Sequence, residues 1–284
     1  MKLSTSTSIA EIIGNQVILH NAYFNVVDGC IKVIDVGMRT NRPNKGMIIM
    51  GHGGAGKTTA IHQIQEYVNT KYSGKFNTPV LIIKISSETT VKSFYTDILA
   101  ALNHPISLSP QDSRTTADKL KKLVTAALKG NVCILFIDEV SDIFSNRLKS
   151  FPSDFLVMIK HLASDTSINI ILAGTLNLKK LIAMADYQFL TRFPTCFELP
   201  LFENNKDWVL YLKGYISIAK DIFDLEILGS MYHDIYSWTG GNPRDLSSLL
   251  TTAIDIAEQE KVVCLTAEHL YQAQQCIFPS SKAA

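Results

Sequence analysis

Gly51-His52-Gly53-Gly54-Ala55-Gly56-Lys57-Thr58 is the stretch on which the reading of this sequence turns. It matches the pattern G-x-x-x-x-G-K-[ST] at every position, with an apolar run at 47–50 before it and a helical periodicity over 57–70 after it. Glycines let such a loop curl so that successive backbone N–H groups point at phosphate oxygens at the mouth of a helix. Gly51, Gly53, Gly54, Ala55 and Gly56 are therefore candidate phosphate-cradling residues, with Thr59 next to them in the first helical turn. Lys57 is expected to reach the β- and γ-phosphates, and the Thr58 hydroxyl to take a place on Mg²⁺. The implied ligands are ATP and Mg²⁺.

Outward from this loop, apolar runs at 80–85, 132–137, 169–173 and 196–199 read as buried strands. Helical patterns at 91–102, 116–129, 153–164 and 177–185 separate them, which predicts an α/β domain built on a parallel sheet. From about 205 onward the strand pattern stops, and helices are expected over 205–220, 224–237, 243–260 and 266–276. Asn242-Pro243 and Thr266 followed by Glu268 are helix-start signals. The expected organisation is an N-terminal helical segment (1–45), an α/β nucleotide-binding domain (46–202) and a small all-helical lid (203–284).

Val132-Cys133-Ile134-Leu135-Phe136-Ile137-Asp138-Glu139 is an apolar strand that ends in two acids. Its direction puts Asp138 at the carboxyl edge of the sheet, where open α/β sheets bind ligands. Asp138 can hold Mg²⁺ through its water shell and Glu139 can polarise an attacking water. One strand, 80–85, intervenes between the loop and these acids. That order matches ATPases with an extra central strand and a catalytic glutamate rather than kinases or GTPases. Thr175 closes the next strand, where its hydroxyl can orient the lytic water, read the γ-phosphate, or cap the following helix. Arg192 precedes the last strand and can serve as an arginine finger toward a neighbouring subunit, or form a surface ion pair. Arg244 falls in the first turn of a helix, a position that disfavours cations, so an external anion such as phosphate is its expected partner.

Composition narrows the class. Apolar residues make up 46% and charged residues 19%, enough for a sizeable core. No apolar run approaches the ~18 residues of a membrane span, and the first residues lack the apolar stretch of a secretory signal. The 5 cysteines are scattered without a C-x-x-C pair, which argues against a disulfide framework or zinc site and fits a reducing, cytoplasmic location. His52, His62 and His161 have no metal-ligand spacing. The net charge of +1 is unevenly spread: residues 203–284 carry 6 Lys/Arg against 11 Asp/Glu, and residues 1–202 carry 21 against 15. A basic larger part permits a polyanion partner.

Taken together, the loop, the Asp-Glu strand, the polar strand end and the two arginines resemble an AAA+ ATPase. Ala173-Gly174-Thr175-Leu176-Asn177-Leu178, followed by Asp186-Tyr187-Gln188-Phe189-Leu190-Thr191-Arg192-Phe193, resembles more narrowly the TniB/TnsC group of transposition ATPases. The resemblance covers about 45–275. It implies a five-stranded parallel sheet of order 5-1-4-3-2 and a helical lid, with Mg²⁺-dependent ATP hydrolysis at a subunit interface. It also implies homo-oligomers, as a ring or filament, around duplex DNA, with a transposase and a TniQ-like target-selection protein as partners. The DNA-facing residues implied by position are Lys92, Thr115 and Thr116, contacting phosphates without reading bases; a solvated helix start with a Thr cap is the alternative. Two other classes stay open. A nucleotide-gated signalling switch is expected to carry an additional effector domain, and a replication initiator or helicase loader a winged-helix domain.

Overall fold

The computed structural model describes residues 8–40, 46–105 and 116–278. It divides into two compact units, one built from 25–53 and 57–199, the other from 8–24, 54–56 and 200–278.

The larger unit is a sheet with helices. Its strands are β1 (Met47–Gly51), β2 (Val80–Lys84), β3 (Ile134–Asp138), β4 (Asn169–Gly174) and β5 (Thr195–Leu199). All pairings are parallel, in the order β2-β3-β4-β1-β5. This is 5-1-4-3-2 read from the other edge, as the resemblance implied. The three inner strands β3, β4 and β1 are buried at every residue, because helices cover both faces. Edge strand β5 instead exposes Cys196 and Glu198. One face carries Ile48, Met50, Leu135, Ile137, Ile170 and Leu172 in a single core with the helices α4 (Val91–Ala101), α5 (Ala117–Leu128) and α6 (Phe151–Thr166).

Two features of this unit lay outside the periodicity. The chain leaves β3 through Glu139 in the left-handed region (φ 54°, ψ 32°) and enters a 3-10 turn, Val140–Ser145. The helix α2 (Asn21–Thr40), from the stretch with no assigned role, is tied to α3 (Lys57–Lys71), the helix that follows the glycine loop. The tie is Asp35, whose carboxylate accepts from Tyr67 Oη (2.8 Å), Lys71 Nζ (2.6 Å) and Tyr72 Oη (2.7 Å). Burial alone would raise the Asp35 carboxyl, but the hydrogen bonds from Lys71, Tyr72 and Tyr67 outweigh it and hold the group below its ordinary value.

The smaller unit is helical: α1 (Ile9–Gly14), α9 (Lys206–Ala219), α10 (Ile227–Ser230), α11 (Tyr232–Thr239), α12 (Pro243–Gln259) and α13 (Ala267–Ile277). Its core gathers Ile13, Trp208, Leu212, Leu246, Leu250, Ile254 and Leu270. The single helix expected over 224–237 is two. Residue 224 is held extended by a bridge to Cys264, with Leu265 N donating to the Asp224 carbonyl (2.8 Å), and the chain turns again at Met231. Helix α12 opens where expected, capped by Asn242, whose Oδ1 accepts from Arg244 N (3.1 Å), with Pro243 in its first turn. Among the described residues no helix is long and apolar enough to cross a membrane.

Candidate functional site

Parallel register assembles the site at one sheet edge. Met50 pairs with Gly174, Ile137 with Leu172 and Lys84 with Asp138, so the ends of β1, β3 and β4 lie side by side. The glycine loop leaves the end of β1, and α3 begins at Lys57. Lys57 is buried, and its Nζ donates to the carbonyls of Gly51 (3.0 Å) and His52 (2.8 Å) across the loop.

The two acids have separate settings. Asp138 is 3% exposed; its Oδ1 accepts from Glu139 N (2.8 Å), and its Oδ2 accepts from the Thr58 hydroxyl at 3.4 Å. A hydroxyl and a carboxylate oxygen brought together at a helix start are hard oxygen donors that fit Mg²⁺. Glu139 is half-buried, and its left-handed backbone, costing about 1–2 kcal/mol for a residue with a Cβ, turns it out of the strand line. Such conformations collect at functional sites because the surrounding structure holds them there.

Thr175 follows β4, half-buried, and its main-chain N–H (2.6 Å) and hydroxyl (2.8 Å) both donate to Ser141 Oγ. Its Oγ1 also accepts from Asn177 N at 3.4 Å. Nothing in a serine two residues after an Asp-Glu pair signals, in sequence, a strand-end partner 34 residues away.

After the short helix α7 (Leu178–Met184), the Asp-x-Gln-x-x-x-Arg-Phe segment forms α8 (Tyr187–Arg192). Asp186 caps it, accepting from Phe189 N (2.7 Å), and pairs with Lys160 (2.8 Å). The Lys160 hydrogen bond, with that from Phe189 N, pulls the Asp186 carboxyl below its ordinary value. Arg192 ends the helix half-buried, its Nε donating to Ser164 Oγ (2.9 Å) and its Nη1 to the Gln188 carbonyl (2.7 Å). Phe193 is buried, stacked on Phe189 at 4.5 Å.

The smaller unit includes loop residues Gly54–Gly56. Gly54 (φ +82°) and Gly56 (φ +94°) both need left-handed backbone, and a Cβ on Gly54 would overlap Asn242 Oδ1 and come within 2.8 Å of Arg244 Cβ. Arg244 itself is exposed. The Tyr23 ring lies beside Gly56, and its buried hydroxyl has no hydrogen-bond partner among the described residues. No local pattern marks Tyr23, because its neighbour in space lies 33 positions along the chain.

The candidate DNA residues sit at helix starts. Lys92 lies half-buried in the first turn of α4, behind a Thr90–Ser93 capping box, and Thr116 is the exposed cap of α5, accepting from Lys119 N (3.3 Å). Helices α4 and α5 pack together. Thr115 lies outside the described residues. The loop before α4 is braced by Asn146, whose Nδ2 donates to the Thr89 carbonyl (2.7 Å), and by an Arg147–Glu88 ion pair (2.9 Å).

A family model described as "Bacterial TniB protein" matches residues 9–204, more than half of the sequence. The chain belongs to the TniB family. No curated protein matches it. Among solved structures, this TniB-family chain is similar to Aeropyrum pernix ORC2 in its ADPNP–ADP complexes (TM-score 0.68, 12% identity, 95% of this chain and 72% of that one). It is similar to A. pernix ORC1 in complex with DNA (0.66, 15%, 92% and 66%) and to domain III of the Thermotoga maritima replication initiation protein DnaA (0.59, 13%, 93% and 95%). At these identities the likeness establishes the fold, which is that of the AAA+ ATPases.

Proposed function

We propose that this TniB-family chain is an ATP-hydrolysing regulator of transposition that assembles as a homo-oligomer, ring or filament, on duplex DNA. In this reading it marks the insertion target and recruits a transposase, with a TniQ-like protein as a further partner, in the cytoplasm. Residues 46–202 are assigned to the nucleotide-binding domain and 203–284 to its lid; of the segment ahead of them, α1 shares the core of the lid helices, and α2 from residue 25 belongs with the nucleotide-binding domain. The observation that carries the ATPase reading is the approach of the Thr58 hydroxyl to the Asp138 carboxylate, beside Glu139 and at the mouth of the glycine loop.

The loop N–H groups from Gly51 to Gly56 and Lys57, with Thr59, bind the phosphate chain of ATP. Thr58 and Asp138 would hold Mg²⁺, which when bound neutralises charge on the β- and γ-phosphate oxygens. Glu139 takes a proton from the attacking water, and Thr175 orients that water. Arg192 reaches the γ-phosphate of a neighbouring subunit, and Arg244 contributes a phosphate contact from the first turn of α12. Lys92, Thr115 and Thr116 contact DNA phosphates, repeated around the oligomer. Family membership supports the transposition role, and a protein of the same fold, A. pernix ORC1, was solved in complex with DNA, which is in keeping with a DNA partner here. The likeness to ORC and DnaA folds favours, as a second reading, a replication-initiator-like ATPase.

The test is steady-state ATP hydrolysis against protein concentration. Turnover per subunit is expected to rise with concentration, Lys57→Ala to abolish binding and turnover, and Glu139→Gln to keep binding while slowing turnover by about 10² or more. Normal turnover by Glu139→Gln, or concentration-independent turnover by a monomer, would contradict the assignment.

A further inference from the structure

Ser141 sits in the 3-10 turn that follows the Asp138-Glu139 pair, 6% exposed, and faces the end of β4. Its Oγ receives two hydrogen bonds from one residue, from Thr175 N at 2.6 Å and from the Thr175 hydroxyl at 2.8 Å, and its own hydroxyl is directed at the Thr175 carbonyl at 3.5 Å. Room for this clasp is made by Gly174: a Cβ there would lie 2.6 Å from Ser141 Oγ and 3.1 Å from Ser141 N, the latter a backbone atom that cannot swing aside. The clasp joins the turn carrying Glu139 to the strand end carrying Thr175.

A hydroxyl has one proton to donate and two lone pairs to accept with. The Thr175 proton is spent on Ser141, and one lone pair accepts from Asn177 N. One acceptor position is left and no donor. A phosphate oxygen needs a donor, whereas a water molecule can give a proton to an acceptor. We propose that Ser141 is a positioning residue: by taking the Thr175 proton it fixes Thr175 as an acceptor that orients the attacking water and bars it from donating to the terminal phosphate. The inference rests on the ATPase reading above and narrows the two roles a strand-end hydroxyl could have there to one.

The two roles separate in binding. A donor to the γ-phosphate favours ATP over ADP, so losing it changes the ratio of the two affinities; a water acceptor touches neither ground state. The experiment compares wild type, Ser141→Ala, Thr175→Val, Thr175→Ser and the Ser141→Ala/Thr175→Val double variant. Fluorescent ATP and ADP analogues are titrated under non-turnover conditions, and kcat and KM are measured separately.

The expected result is a fall of about tenfold in kcat for Ser141→Ala and for Thr175→Val, the scale of one lost hydrogen bond in the transition state. The ATP/ADP affinity ratio and KM are expected to stay within about twofold of wild type. Thr175→Ser, which keeps the hydroxyl, turns over faster than Thr175→Val, and the double variant is no slower than the slower single one, because both remove the same arrangement. Retained binding of both analogues reports that a slow variant is folded, and Thr175→Val, close in shape to the native residue, carries the test if Ser141→Ala does not fold. An unchanged kcat in Ser141→Ala, a selective loss of ATP over ADP affinity in Thr175→Val, or losses that multiply in the double variant would overturn the proposal. If wild type hydrolyses ATP and Lys57→Ala does not, any of these failures falls on the roles given to Ser141 and Thr175 and leaves the ATPase reading standing; if wild type itself does not turn over, both readings fail.

Discussion

Gly53 and Gly54 are adjacent, identical and interchangeable in the loop pattern, yet the structure assigns them opposite tolerance. A Cβ on Gly53 would meet nothing within 4 Å. On Gly54 three costs add. Left-handed backbone (φ +82°) costs an L-residue about 1–2 kcal/mol. Overlap with Asn242 Oδ1 and close approach to Arg244 Cβ adds about 1–3 kcal/mol of overpacking. Moving Asn242 also disturbs the cap it makes with Arg244 N at 3.1 Å, a contact worth about 1 kcal/mol. Partial relief among these leaves about 2–5 kcal/mol for Gly54→Ala. If half or more of that falls on the phosphate-binding form of the loop, nucleotide affinity drops by about tenfold to a hundredfold. Titrating a fluorescent ATP analogue into wild type, Gly53→Ala and Gly54→Ala is the assay, with Gly53→Ala expected within about threefold of wild type. Equal affinity of all three proteins, or a greater loss in Gly53→Ala, would refute the reasoning that local backbone and neighbours set the requirement for glycine.

Two further predictions concern stability. Asp35→Asn removes the charge that three donors share, and an amide cannot accept from all of them, so unfolding is expected to become easier by about 1–3 kcal/mol, read as a lower thermal midpoint; an unchanged midpoint would mean that α2 is not held by this cluster. His20 is neutral in the folded state, burial having lowered it to about 4 against the opposing pull of Asp207. Because the unfolded chain binds that proton near its ordinary value of 6.5, stability is expected to fall as pH drops from about 6.5 toward 4, by less than about 1.4 kcal/mol per pH unit given the partial exposure of the ring. His20 Nδ1 accepts from Tyr23 N (3.4 Å) at the start of α2; His20→Asn, which keeps an acceptor there and does not titrate in this window, is expected to flatten that slope in pH-dependent denaturant melts, and an unaltered slope would assign it to other groups.

The strands were legible because each is a short apolar run between helical periods, and the glycine loop because its chemistry demands fixed residue types at fixed spacing. The placement of Asp138 and Glu139 at the end of β3 and of Thr175 just after β4 followed from the apolar runs and their direction, since a parallel strand carries its last residue to the carboxyl edge of the sheet. What stayed hidden depends on contacts between residues far apart in sequence. Asp35 meets Tyr67, Lys71 and Tyr72 across more than 30 positions, and no local pattern distinguishes it from a solvated helix acid. Ser141 acquires its meaning only when β3 and β4 lie side by side. Residues 224–237 have helical periodicity, but the bridge from Asp224 to Cys264 overrides it locally. The requirement at Gly54 likewise comes from Asn242 and Arg244, almost 190 residues away.

The central claim, an ATPase that works on DNA, is tested most directly by anisotropy of a labelled duplex titrated with the protein at several salt concentrations, with and without a non-hydrolysable ATP analogue. With the analogue, binding is expected to be tight, indifferent to sequence and steeply weakened by salt, since each neutralised phosphate contributes about −0.9 to the log–log slope and the contacts repeat in every assembled subunit. Without it the slope is expected to be shallow, and Lys92→Glu is expected to remove DNA binding while leaving nucleotide affinity intact. Absence of duplex binding in every nucleotide state, even at low salt, would contradict the account.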